Sequence, residues 1–283
     1  MQKIGLGLDY QHRQSYSLSL GDLLHSLAPR LSHVSIVGLV TDDDVRDFKA
    51  MTALPILHHF TGVAPGGADG INLVNLKRQC EISSALDAVW CLEDIGIWHI
   101  GPYNIPYFAP PVLCREVLDQ TINGLRRLKC EAPVPFLVEL PSFSFLAGDM
   151  TLEHFFGELL AETDCGMVLD VSHVFSYAIY CNKDPLEVLR ALPLDRVIEI
   201  HIAGGSVHPE HIWRYRDTHV EPIVEQVIPI LAAAIDHCQN LRAITYEIGL
   251  GISLDLVDRE ITRLQVIAEA KRFVPRLTKT MPI

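Results

Sequence analysis

The sequence predicts an α/β fold, a single (β/α)8 barrel spanning residues 1–283, from three observations. Short apolar, β-rich runs alternate eight times with longer helical patterns, the signature of repeated βα units. No Pro/Gly/Ser-rich linker divides the chain. Nine side chains able to bind metals, four His and five carboxylates, fall at or just past the ends of the apolar runs, where barrels of this type gather their active sites.

The strand candidates, in order, are Lys3–Leu8, Val34–Val40, Pro55–His59, Ala88–Leu92, Phe136–Glu139, Met167–Asp170, Val197–Ile202 and Ala243–Glu247. Between them the 3.6-residue period predicts helices over Leu18–Leu27, Asp43–Met51, Leu73–Leu86, Val112–Lys129, Leu152–Ala161, Pro185–Ala191, Pro222–His237 and Leu254–Arg272. Thr151 ahead of His154, and Asp184 ahead of Pro185, supply start signals. The segment holding Pro102, Pro106, Pro110 and Pro111 reads as a long βα excursion over the site. Gly5-Leu6-Gly7 opens like a phosphate loop, but the third glycine of the dinucleotide fingerprint is absent and Gln11 stands near its place.

Composition narrows the function. With 49% hydrophobic and 20% charged residues the chain can bury a large core. A formal net charge of -12 argues against nucleic acid as a partner, because that affinity rests on Lys and Arg displacing counterions. Met1-Gln2 leads into KIGLGLDY with no signal-peptide pattern, and no apolar run approaches the ~20 residues that span a bilayer, so a cytoplasmic protein away from membranes is expected. Seven scattered cysteines without a CxxC pair fit reduced thiols, with Cys165 and Cys181 flanking the ligand-rich segment.

The nine ligand candidates are His59, Asp94, Glu139, Asp170, His173, His201, Asp217, His219 and Glu247, too many for one ion. Carboxylates and imidazoles converging in a barrel mouth repel or desolvate one another unless a cation holds them. Asp170 and His173 stand three residues apart after MVLD, and Asp217 and His219 point the same way if their segment is extended. Glycines after His201 let backbone or ligand approach closely. His58 and His59 face opposite sides of one strand, and His59 is the one expected inside. His99 and His12, in loops after strands, are candidates for proton transfer. Trp98, Trp213 and Tyr215 are candidate pocket walls, whereas His25, His33, His154 and His237 read as helix or surface residues.

Cys165–Ser206, Arg216–Pro222 (RDTHVEP), Pro55–Asp69 (PILHHFTGVAPGGAD) and Val138–Ser142 (VELPS) together resemble the multinuclear non-heme iron-dependent oxidative enzymes, barrels that include the methanobactin-synthesis oxidase. The resemblance implies His59, Glu139, Asp170, His201, Asp217, His219 and Glu247 as iron ligands. It implies two or three irons, mixed Fe2+ and Fe3+, that use dioxygen to oxidise a residue, typically Cys, of a ribosomally made precursor peptide. A separate small leader-recognition protein is the implied partner. The chain departs from the family pattern in having Asp94 in place of histidine, and His173 and Leu140 in place of asparagines. These departures bring it nearer to the three-zinc apurinic endonucleases and xylose-isomerase-like sugar enzymes, so a zinc- or manganese-dependent hydrolase or isomerase is the rival expectation. A degenerate barrel that binds metal without turnover is the third.

Overall fold

Apolar runs with alternating inward polar tips pair in parallel and close on themselves. The computed structural model describes residues 5–12, 18–67, 69–212, 214–271 and 273. The barrel strands are β1 (Gly5–Gln11), β2 (His33–Val37), β3 (Ile56–His59), β4 (Cys91–Asp94), β7 (Phe136–Glu139), β8 (Gly166–Asp170), β9 (Val197–Ala203) and β12 (Ala243–Glu247). They follow one another around the barrel in that order, β12 closing on β1 with Asp9 level with Glu247. Two hairpins stand outside it, β5 (Ile97–Ile100) with β6 (Tyr103–Ala109), and β10 (Gly205–Val207) with β11 (Tyr215–Asp217).

The surrounding helices are α1 (Leu20–Leu27), α2 (Asp42–Met51), α3 (Leu73–Ala85), α4 (Arg115–Glu131), α5 (Leu152–Thr163), α6 (Val171–Tyr180), α7 (Pro185–Ala191), α8 (Ile228–His237) and α9 (Leu254–Ala270). Ser19, Thr41, Asn72, Thr151, Asp184 and Ser253 each accept a backbone N–H at a helix start, satisfying donors the helix itself leaves open. No described helix is long and apolar enough to cross a membrane.

Three of the differences between the fold and the sequence expectation have a clear physical reading. Helix α6 follows β8 without a loop and is buried on nearly every face, so it lacks the one-sided period that reveals a surface helix. Helix α8 begins at Ile228 rather than Pro222, because Pro229 fits only a first turn and would break a longer helix from inside. The proline-rich excursion is the β5–β6 hairpin, turning at Gly101 with φ 56°. The expected strand start at Lys3 and the helix end at Arg272 lie outside the described residues.

The two-residue alternation of strands layers the barrel interior. Leu57, Trp90, Leu92, Leu137, Val168 and Ala243 form a separate buried apolar cluster. Each of Leu57, Leu92, Leu137 and Val168 sits two residues before a strand-end ligand candidate, so this plug is the floor on which the polar layer rests. Gly7 belongs to the interior: a Cβ there would lie 2.2 Å from the ring of His33, so glycine is the residue that admits this imidazole. His33 is therefore a fully buried barrel residue, not the surface residue its sequence context suggested.

Candidate metal centre

One polar tip from each of seven barrel strands meets the loop after β11 in a single constellation. Asp9, His59, Asp94, Glu139, Asp170, His201 and Glu247 lie at or near the carboxyl ends of β1, β3, β4, β7, β8, β9 and β12, and all are buried. Helix α6 adds His173 in its first turn, and Asp217 and His219 come from the end of β11 and just beyond. Asp170 has two roles: one carboxylate oxygen caps α6 by accepting the His173 N–H at 2.8 Å, and the other meets no donor.

Ligand atoms of His59, Glu139, His201 and Glu247 lie within 4.8 Å of one another, and those of Asp94, Glu139 and His173 form a second such group. Glu139 is common to both. Nδ1 of His201 stands 2.9 Å from Glu139 Oε1 and 2.9 Å from Glu247 Oε1. Nε2 of His59 is 3.4 Å from Asp94 and 3.5 Å from Glu139. Nε2 of His173 is 2.8 Å from Asp217, and Nε2 of His219 is 3.3 Å from Asp217 and 3.6 Å from Glu247. These separations match donor atoms sharing an ion about 2.0–2.2 Å away, whose mutual spacing is about 2.8–3.6 Å.

The donor set fits metal on a further ground. Asp94 Oδ1, both Glu139 oxygens, Asp170 Oδ2, Asp217 Oδ1, His201 Nδ1 and His219 Nε2 are buried and make no hydrogen bond. Each buried orphan of this kind costs about 1–3 kcal/mol when nothing answers it. Cations held by the two ligand groups would answer those of Asp94, Glu139 and His201 directly. Oxygen and imidazole donors without thiolate suit iron, manganese or zinc rather than a soft metal.

Three of the four imidazoles are aimed by an acceptor behind them. His59 Nδ1 is 3.1 Å from Asp9, His173 Nδ1 is 2.6 Å from the Leu140 carbonyl, and His201 Nε2 is 3.1 Å from Glu199. A proton held on that nitrogen leaves the opposite lone pair facing the centre, the usual way a protein orients a metal-binding histidine.

Electrostatics show what the centre demands. Burial would lower the imidazole pKa values of His59, His173 and His201, but neighbouring carboxylates outweigh it and hold all three well above the usual histidine range. His219 is likewise lifted to about 10, Asp217 overcoming its burial. Burial pushes Glu139 up to about 8 and Asp170 to about 6. Without metal, the cluster balances its carboxylates by retaining protons, and a bound cation takes over that role.

The cleft above the centre has a volume of about 1230 Å3. Asp9, His59, Asp94, His173, Asp217, His219 and Glu247 line its base, and Trp98 and Tyr107 of the β5–β6 hairpin stand on its wall. His12 also lines it, its Nε2 3.2 Å from Asp44. His99 is not brought to the cleft lining; its Nδ1 lies 3.8 Å from Asp69. Tyr215 borders a smaller neighbouring pocket, and Trp213 lies outside the described residues.

His58 faces away from the barrel, bonded to Ser83 at 2.7 Å and the Gly38 carbonyl at 3.0 Å, whereas His59 turns into the constellation. His219 does not lie in an extended segment: its φ is 58°, and that left-handed turn is what swings its ring towards Asp217. The glycines after His201 admit backbone rather than ligand, since a Cβ on Gly204 would strike the Glu221 carbonyl at 1.7 Å. Cys165 and Cys181 take no part in either ligand group. Sequence reasoning missed Asp9 and Glu199, although Asp9 carries the same signal as the others, a carboxylate ending the apolar run GLGLD.

Comparison with known proteins agrees with this architecture. Among solved structures the chain superposes on endonuclease IV from Thermus thermophilus with a TM-score of 0.60, 17% identity and coverage of 94% of this chain and 99% of that one. A xylose isomerase domain protein from Planctomyces limnophilus gives 0.62 at 12% identity, covering 96% and 97%. These show a shared xylose-isomerase-like TIM barrel. A UPF0276 protein of Caulobacter vibrioides is 29% identical over 182 residues, 64% of each chain, so the match spans just under two thirds of that relative's length. The profile of the RiPP precursor modification enzymes MbnB/TglH/ChrH matches residues 39–264. That stretch holds every member of the two ligand groups, and the chain belongs to the RiPP precursor modification enzyme family MbnB/TglH/ChrH.

Proposed function

We propose that the protein is a multinuclear, iron-dependent oxidase that uses dioxygen to modify a residue, in the first instance a cysteine, of a ribosomally made precursor peptide. The observation that carries this reading is Glu139, shared by two groups of ligand atoms at the base of a cleft large enough for a peptide segment. Family membership supplies the substrate class.

His59, Glu139, His201 and Glu247 would hold one ion, and Asp94, Glu139 and His173 a second. Asp170, Asp217 and His219 complete the set around them. When bound, iron supplies the one-electron chemistry with dioxygen and a docking point for a substrate thiolate or carboxylate. The chain's own residues aim the imidazoles, hold the carboxylates in a buried, water-poor base, and wall the cleft with Trp98 and Tyr107. His12, on the cleft wall, is the better placed of the two proton-transfer candidates; His99 would act only if its hairpin moved inward. A small leader-recognition protein completes the proposed assembly.

The test is elemental analysis of protein purified without oxygen, followed by mass spectrometry of a candidate precursor peptide after exposure to air. Two or three irons per chain and an oxygen-dependent mass change support the reading. Zinc or manganese with an oxygen-independent reaction overturns it in favour of a hydrolase or isomerase, and a filled site without turnover in favour of a non-catalytic barrel.

A further inference from the structure

Two residues before His201 on β9, Glu199 is wholly buried inside the barrel and does not line the cleft. Its Oε2 accepts the Trp90 Nε1–H at 2.7 Å. Its Oε1 lies 3.1 Å from His201 Nε2 and accepts from the Thr245 hydroxyl. The Thr245 hydroxyl in turn lies 2.8 Å from His33 Nε2, the ring that Gly7 makes room for.

An ionised carboxylate only accepts hydrogen bonds, and three donors on two oxygens are what such a group needs when it is cut off from water. The apolar plug of Leu57, Leu92, Leu137 and Val168 lies in the same interior layer and offers nothing else. Substrate in the cleft has no route to this carboxylate, so its service must run through His201.

We propose that Glu199 is a positioning residue that locks His201 in the Nε2-protonated form, so that the Nδ1 lone pair is presented between Glu139 and Glu247. Trp90 and Thr245 fix the carboxylate, and the carboxylate fixes the ring. An imidazole without this anchor can turn its N–H to the centre and cease to be a ligand. The inference rests on the metal-centre reading above.

The experiment titrates metal-free protein with Co2+ in the absence of oxygen and reads the visible absorption of the bound ion, with circular dichroism and melting of the metal-free form beside it. Glu199→Gln must set an amide N–H against at least one of the three donors. It should weaken Co2+ binding by about 10–100-fold, the range for loss of an outer ligand partner, in a protein whose fold is retained. Nitrogen NMR of the zinc-loaded protein should show the His201 proton on Nε2 in the wild type and lose that signature in Glu199→Gln. Unchanged Co2+ affinity and an unchanged His201 signature overturn the proposal. If Glu199→Gln does not fold, Trp90→Phe and Thr245→Val decide: weakened Co2+ binding in both supports it, and wild-type affinity in both overturns it. A wild-type protein that binds no Co2+ removes the metal reading itself, which separates the two failures.

Discussion

Asp94, at the end of β4, and His173, in the first turn of α6, bring ligand atoms within 4.8 Å of one another, with Glu139 as the third member of their group. Both positions depart from the resembled family pattern, and in opposite directions: an imidazole is exchanged for a carboxylate at 94, and an amide for an imidazole at 173. The structure places the two exchanges in one group, so the site keeps one imidazole. His173→Asn alone should therefore lower metal content by about one equivalent, and the double variant Asp94→His with His173→Asn should restore it. Elemental analysis of the wild type, both single variants and the double variant checks this, and simple addition of two losses refutes the exchange.

Glu139 belongs to both ligand groups. Glu139→Gln should cost more than one metal equivalent per chain and abolish turnover, whereas a change in one outer contact should cost at most one. Metal analysis showing the loss of a single equivalent would reject a shared ligand.

Metal affinity should rise steeply with pH. In the metal-free protein Glu139 keeps its proton up to about 8 and His219 up to about 10. Each must lose that proton to bind, so binding releases protons and weakens as pH falls, by about tenfold per pH unit for each proton displaced. Co2+ titrations from pH 6 to 9 test the sign, and a flat profile contradicts it.

Gly7→Ala should destabilise the protein by about 1–3 kcal/mol, the cost of overpacking a filled interior. The added Cβ would meet the His33 ring at 2.2 Å. Urea unfolding reads the difference, and wild-type stability would show that the ring has somewhere else to go.

His12 lines the cleft and His99 does not. His12→Ala should lower turnover by about 100-fold if it transfers a proton, with metal content unchanged. His99→Ala should change neither. Equal effects of the two on turnover would return His99 to the site.

Much of this was legible along the chain because it is written locally. Strand-end carboxylates and imidazoles such as Glu139, His201 and Glu247 announce themselves as polar tips on apolar runs, and the two-residue alternation chose His59 over His58. The residues that escaped reading owe their roles to partners far away in sequence. Glu199 looks like an ordinary strand carboxylate until Trp90, 109 residues earlier, and Thr245, 46 residues later, are seen to bond it. His33 reads as a surface residue until Gly7 is found beneath its ring.

The sequence by itself determined the barrel, the strand ends as the place where polar donors gather, and the kinds of donors found there, because periodicity and residue type act over a few positions. Only the tertiary structure decided how those donors divide into two groups around Glu139, which nitrogen of each ring faces inward, and which carboxylates serve from behind. Those outcomes depend on barrel closure, which sets β12 beside β1 and β9 beside β8 and so places side chains from opposite ends of the chain a few ångströms apart.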